Sequence, residues 1–222
     1  MLARALPFLA ASAFFLGAHA QQQKSTPSRE IMEGDIIFQT SLSSQSRAIQ
    51  LATKSRYSHM GIIFRENGEF HVFEAARTVR MTPLDEWIKR GKDEKYVIKR
   101  LRNANDILTA QTLTKLKKES KKFAGKSYDL TFGWSDEKIY CSELVWKIYK
   151  RGANIEIGKL QQLGDFDLSS AIVKAKLKER YGDNIPLNET VISPASMFES
   201  ELLVKSAVHL ERFFSTLDRA QP

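Results

Sequence analysis

The sequence predicts an α+β domain in which a central antiparallel sheet packs against helices, and three stretches carry that expectation. Ser58 to Phe64 and Phe70 to Ala75 are β-rich runs on either side of Asn67-Gly68, the pattern of a tight hairpin. Glu33-Gly34-Asp35 leads into Ile36-Ile37-Phe38, a turn feeding a short, largely buried strand. Cys141 to Tyr149 places Leu144, Val145 and Ile148 on one face, the spacing of a helix that packs on one side.

The other elements follow in chain order. Ser41 to Ser46 supplies caps ahead of Ala48, Ile49, Leu51 and Ala52, so a short helix is expected over Gln45 to Thr53. Thr82-Pro83-Leu84-Asp85-Glu86-Trp87 reads as a helix start, and Lys95 to Arg100 as a third strand extending the hairpin into a meander. Leu113, Leu116 and Phe123 stand among lysines from Thr109 to Phe123, which suits an amphipathic surface helix ended by Gly125. Gly152 is expected to close the helix that begins at Cys141. From Ile155 to Ile192 the pattern weakens to a charged helix near Leu168 to Tyr181, a stretch suited to a lid or specificity wall. Ser193-Pro194 opens another helix, and Leu202, Leu203, Val204 and Val208 fit either a strand or a helix.

Arg4 precedes an apolar run from Ala5 to Leu16 that ends in Ala18-His19-Ala20, the layout of a secretory signal peptide over residues 1–20. The run is shorter than the roughly 20 residues that span a bilayer, so no stable membrane anchor is expected. Cleavage near Ala20 would leave a polar lead-in over residues 21–30 and a single domain over residues 31–222, in a secreted or periplasmic location. No cysteine stands immediately after the expected cleavage point, which argues against lipid attachment there. The formal charge is +8, of which Arg4 supplies one. The lysines at 115, 117, 118, 121 and 122 lack interleaved aromatics, so they read as a solvated face and nucleic acid is not an expected partner.

Cysteine usage is the sharpest compositional clue. The chain contains one cysteine, which in an oxidising compartment is either a small buried hydrophobe or a reactive thiol. Cys141 falls in the first turn of its predicted helix, where the positive end of the aligned backbone dipoles favours the thiolate. One cysteine and the scattered His59, His71 and His209 lack metal-ligand spacing, and no metal or other cofactor is expected.

Strand geometry selects the base. With Asn67-Gly68 as a two-residue turn, Glu66 pairs with Glu69, Ile63 with Val72, Gly61 with Glu74 and His59 with Ala76. His59 and Glu74 then project to one face as diagonal neighbours, about 7–8 Å apart at the backbone. Gly61 leaves the carboxylate room to lean toward the imidazole, fixing its tautomer and favouring its charged form. His71 points to the opposite face, and a slip of one residue would exchange the two histidines. Taken alone, His59 also fits a hydrogen-bonded core histidine. Glu74, set within Val72-Phe73-Glu74-Ala75-Ala76, has to be exposed or paired.

Gly34-Asp35-Ile36-Ile37-Phe38, Tyr57-Ser58-His59-Met60-Gly61-Ile62, Val72-Phe73-Glu74-Ala75 and Tyr140-Cys141-Ser142-Glu143-Leu144-Val145, in that order, resemble the motifs of the permuted papain-like enzymes of the YiiX/YebB-like group. That group is related to the NlpC-type cell-wall peptidases and, more distantly, to the lecithin:retinol acyltransferase family. The resemblance runs from about Gly34 to Leu203, and the order of His59 before Cys141 marks the circularly permuted branch. It implies a papain-like fold with His59 and Glu74 on adjacent strands, packed against the Cys141 helix. It also implies that Tyr128 sits near the site and helps bind the oxyanion, although Tyr128 equally fits an aromatic packing the helix end. Tyr140 and Ser142, flanking the cysteine, are further candidates for oxyanion or substrate contact. Tyr140 stands where NlpC-type peptidases usually have Asp, and no motif matches the Ile155 to Ile192 region.

The expected reaction is attack by Cys141 on an amide or ester carbonyl, with His59 moving the proton and Glu74 orienting it. Peptide bonds of peptidoglycan are the first expected substrate, given export. A lipid amidase or acyltransferase with the same three residues is the alternative, and a non-catalytic envelope-binding domain is another. A lipid enzyme should show a broad apolar groove beside Cys141, and a wall enzyme a narrower polar one.

Overall fold

The structure is a computed structural model that describes residues 30–206. The expected signal peptide, most of the lead-in, Val208 and His209 lie outside the described residues. In chain order the elements are β1 (Ile36–Ser41), α1 (Ser46–Thr53), β2 (His59–Glu66), β3 (Glu69–Ala75), β4 (Val79–Pro83), α2 (Leu84–Lys89), β5 (Gly91–Leu101), α3 (Ala104–Ile107), α4 (Ala110–Lys121), α5 (Cys141–Ala153), β6 (Gln161–Gln162), α6 (Ala171–Tyr181), β7 (Thr190–Val191), α7 (Pro194–Phe198) and β8 (Leu203–Lys205). Six strands form one sheet in the order β4-β3-β2-β1-β5-β8, and β6 pairs with β7 apart from it. All the pairings are antiparallel, so the α+β expectation holds.

The hairpin has the expected register, with Glu66 opposite Glu69 and Ile63 opposite Val72. Asn67 and Gly68 both have positive φ, 51° and 87°, as a type I′ turn requires. Two expectations about the sheet need correction. The third strand of the meander is β4, whose short polar sequence hides its pairing with β3. The Lys95 to Arg100 strand is part of the longer β5, which returns to the other side of the hairpin and pairs with β1. The undecided tail is a strand, β8, pairing with the end of β5.

Alternation along the strands divides the apolar residues between two faces. Ile36, Phe38, Met60, Ile62, Phe64, Phe73 and Ala75 pack against Leu144, Val145 and Ile148 of α5. Ile37, Ile63 and Val72 pack with Leu84, Trp87 and Ile88 of α2 and with Ile98. Each large aliphatic or aromatic side chain fully withdrawn from water contributes about 1.5–3 kcal/mol, and the fully buried members on both faces fix the sheet's register.

The turn before β1 anchors α5. Gly34 has φ +82° and its N–H donates to the Ile63 carbonyl at 2.8 Å, while its own carbonyl accepts from the Tyr149 hydroxyl. Asp35 is fully buried and accepts from Arg100 Nε at 2.6 Å and Nη2 at 2.8 Å, a charge paired in fork geometry.

Gly152 does not close α5. The helix ends at Asn154, which takes the left-handed conformation with φ 56°. A Cβ on Gly152 would lie 2.8 Å from Leu116 Cδ2 and 3.1 Å from the Leu116 backbone, so this glycine exists to let α4 and α5 approach. The expected α4 starts at its cap, where Thr109 accepts from the Thr112 N–H. The weakly patterned region builds α6, which packs on α1 through Val173, Leu177, Ala48 and Leu163.

Candidate active site

Cys141 is the first residue of α5 and is 2% exposed. His59 is the first residue of β2, so it stands at a strand end. Its ring stacks on Trp87 at 5.8 Å between centroids, within the α2 face. The nearby Cys141 side chain also raises the imidazole's pKa, which puts the ring beside the thiol. The imidazole thereby joins the two faces of the sheet.

His59 Nε2 lies 2.6 Å from Glu74 Oε2. A carboxylate can only accept there, so Nε2 carries a proton and Nδ1 is the nitrogen left for the thiol. Glu74 is fully buried and is met by three further donors. Thr82 Oγ1 donates to Oε1 at 2.7 Å, Trp87 Nε1 to Oε2 at 3.0 Å, and Arg90 to Oε1. Burial alone would raise the Glu74 pKa, but the bond and charge of His59, the Thr82 hydroxyl and the Arg90 charge bring it down to about 2. Burial alone would lower the His59 pKa, but its bonds to Cys141 and Glu74 and their charges push it up to about 9. Both neighbours thus favour the charged form of the ring.

Gly61 serves the same geometry. A Cβ there would lie 2.4 Å from Val72 Cγ1, 2.7 Å from the Phe73 carbonyl oxygen and 3.4 Å from Glu74 Cβ, so any side chain would push β3 and its carboxylate away from His59. His71 pairs with Phe64, and its Nδ1 lies 3.3 Å from the Glu69 carbonyl, away from the thiol.

Tyr128 stands beside Cys141. Gln45 Nε2 donates to its hydroxyl oxygen at 2.9 Å, which leaves the O–H to face the sulfur. Burial and the nearby Cys141 charge raise its pKa well above the usual phenol value, so the proton stays on as a donor. Gln45 is in turn held by Arg180, which donates to Oε1 at 2.5 Å. Tyr140 and Ser142 are placed differently. The Tyr140 hydroxyl accepts from the Ile192 N–H at 3.0 Å and the Ser142 hydroxyl donates to the Ile192 carbonyl at 2.7 Å. Their hydroxyls fasten Ile192, just after β7, to the start of α5, and both residues line the cavity beside Cys141. Sequence reasoning missed Thr82, Trp87, Arg90 and Gln45. A buried carboxylate demands donors, but nothing in the chain order selects Arg90 over Arg77 or Arg80, and Gln45 meets Tyr128 across 83 positions.

Two cavities reach this pair. A narrow slot of about 90 Å³ runs from Cys141 between α1 and α6, walled almost wholly by apolar atoms of residues such as Ala48, Ile49, Phe132, Leu163, Val173 and Leu177. A wider cavity of about 600 Å³ opens on the His59 side and is markedly more polar.

A helix-borne thiol beside an imidazole that a buried carboxylate orients is the arrangement of a papain-like cysteine hydrolase. The chain belongs to the family described as "Permuted papain-like amidase enzyme, YaeF/YiiX, C92 family", whose model matches residues 30–205. It is 49% identical to the uncharacterized protein YiiX of Escherichia coli over 174 residues, 78% of this chain and 85% of that protein. It is also similar to a crystal structure described as metalloprotein yiiX from Escherichia coli O157:H7, DUF1105, with TM-score 0.76 and 48% identity over 80% of this chain and 97% of that one. The expectation of a permuted papain-like cysteine hydrolase is thus met.

That structure is described as a metalloprotein. Among the described residues, no group of three or more His, Cys, Asp and Glu side chains gathers as a metal site. Glu74 already accepts from four donors, one of them a guanidinium, and a cation there would have to displace them. These residues do not fit a resident metal.

Proposed function

We propose that the chain is an exported cysteine amidase that cleaves acyl amides through Cys141, His59 and Glu74. The apolar slot that opens at the sulfur carries this reading, because the acyl half of a substrate has to lie beside the nucleophile that takes it over. The slot is narrower than the broad groove expected of a lipid enzyme, but its apolar wall is what an aliphatic acyl group requires. Peptides of the cell wall, the first substrate expected from export, would require polar groups along that wall to satisfy their backbone.

Cys141 attacks the carbonyl carbon, and the oxyanion meets the Tyr128 O–H and the N–H groups at the start of α5. His59 gives its proton to the departing nitrogen as the C–N bond breaks, leaving an acyl thioester and a neutral imidazole. That imidazole takes a proton from water, which attacks the thioester. The fatty acid leaves and the thiolate–imidazolium pair is restored. Glu74 keeps the ring in one tautomer throughout. Export rests on the N-terminal pattern of residues 1–20, and among the described residues no helix is long and apolar enough to cross a membrane.

The test is to incubate the protein with N-acyl amides and with peptidoglycan fragments and to read products by mass spectrometry. Fatty acid release by the wild type, lost at least about a thousandfold in a folded Cys141→Ala protein, is expected. Products from wall fragments alone would overturn the acyl assignment, and undiminished turnover by Cys141→Ala would remove the mechanism.

A further inference from the structure

The two cavities approach the Cys141–His59 pair separately and differ in charge. The apolar slot is lined by Cys141 and not by His59, and the wider cavity by His59 and not by Cys141. Gln45, Tyr128, Lys176 and Arg180 line both and form the wall between them. In thiolate acylation the group that protonates the departing nitrogen stands on the leaving group's side. Given the acyl-amide reading above, on which this inference rests, the acyl chain occupies the slot and the amine half occupies the wider cavity.

Besides His59, four cationic side chains, Arg77, Arg90, Lys176 and Arg180, line that cavity against one carboxylate, Glu179. Glu74 pairs with Arg90, and Glu179 pairs with Lys176 at 2.5 Å. Arg180 donates to the neutral Gln45 amide. Arg77 makes no ion pair among the described residues. Its backbone is fixed beside the reaction centre, because its carbonyl accepts from the Tyr128 N–H at 3.1 Å and its neighbour Thr78 bridges to Ser127. Among the described residues Arg77 and Arg180 thus have no carboxylate in salt-bridge contact where the amine product must sit, and guanidinium forks match carboxylate and phosphate oxygens.

We propose that the wider cavity is an anion-recognising subsite and that the substrate is an acyl amide whose amine carries a carboxylate or a phosphate. The cavity selects the leaving half by charge while the slot selects the acyl half by shape.

Three substrates with one acyl chain test this: N-dodecanoylglycine, the phosphate monoester of N-dodecanoylethanolamine, and neutral N-dodecanoylethanolamine. Either anionic amide is expected to exceed the neutral one about tenfold in kcat/KM at low salt, with the preference shrinking at high salt. Whichever anion wins identifies the source, amino-acid carboxylate or headgroup phosphate. In Arg77→Gln the anionic-to-neutral ratio should fall about threefold, chiefly through KM, and Arg77→Lys should restore most of it. Arg77 is exposed, so both variants should fold. Calorimetric binding of the same three compounds to Cys141→Ala separates the two readings. An anionic preference in binding without turnover by the wild type would sink the amidase reading and leave the subsite standing. Equal kcat/KM and equal binding for charged and neutral amides would overturn the subsite, as would no binding of any of the three.

Discussion

Two glutamates of this chain are equally withdrawn from water and behave in opposite ways. Glu74, on β3, and Glu143, on α5, are both 0% exposed. Glu74 accepts from His59, Thr82, Trp87 and Arg90 and its pKa drops to about 2. Glu143 has the Lys147 ammonium at 2.7 Å and the Tyr140 backbone N–H nearby, with neither oxygen in good hydrogen-bonding geometry, and burial outweighs them and pushes it up to about 7. Burial costs the charged form at both sites, and the number and geometry of donors decides which way the balance falls. A buried carboxylate with a full set of donors stays ionised, and one without them is driven toward its neutral form.

The largest break in this comparison should come from Glu74→Ala. It leaves Arg90, the Trp87 N–H and the Thr82 hydroxyl without their acceptor, so we expect a loss of roughly 3–5 kcal/mol in urea unfolding and loss of turnover. A wild-type midpoint would contradict the role assigned to those donors.

Glu74→Gln sharpens the comparison by removing charge and keeping shape. The alkaline limb of kcat/KM, which follows deprotonation of His59, should fall in the wild type near pH 9 and move in the variant toward the ordinary histidine value of 6.5. A limb that stays near 9 would show that Glu74 does not set the imidazole's charge.

The two carboxylates should also tilt stability in opposite senses. Glu74 binds its proton less readily when folded, so its contribution is present above the unfolded value of 4.5 and is lost as pH falls toward about 2. Glu143 binds its proton more readily when folded, so its contribution is present below 4.5 and is lost as pH rises through about 7. His59 adds a term present below 6.5 and lost as pH rises through about 9. Glu143→Gln should therefore flatten the decline in unfolding free energy between pH 4.5 and 7.5, by on the order of 1–3 kcal/mol. An unchanged slope would mean that Glu143 is ionised in the folded protein.

The smallest effect concerns Glu143→Gln at pH 5, where the native carboxyl is already protonated. Its stability should stay within about 1 kcal/mol of wild type, because Lys147 keeps the Ser135 carbonyl at 2.7 Å and Asp136 at 2.9 Å.

Much of the site was legible before any coordinates. The two-residue turn at Asn67-Gly68 fixes the hairpin register, and a period of two then puts His59 and Glu74 on one face and His71 on the other. The helix opening at Cys141 followed from Leu144, Val145 and Ile148 in the same way. Less legible was everything set by contacts distant in sequence. β4 carries no strong alternation, and Thr82 and Trp87 look like ordinary turn and helix residues until β4 pairs with β3. Gly152 has the look of a stop signal, and only the approach of Leu116 from α4 explains it.

The sequence by itself determined the local order: strands, turns, the helix that begins with the single cysteine, and the face on which the histidine and glutamate meet. These are consequences of backbone period and turn chemistry, which act within a few residues. The tertiary structure alone decided that Glu74 is saturated by Arg90 and Trp87, that Gln45 and Arg180 brace Tyr128, and that α1 and α6 wall an apolar slot at the sulfur. Those outcomes depend on side chains from distant segments sharing one buried space, and such sharing leaves no periodic trace along the chain.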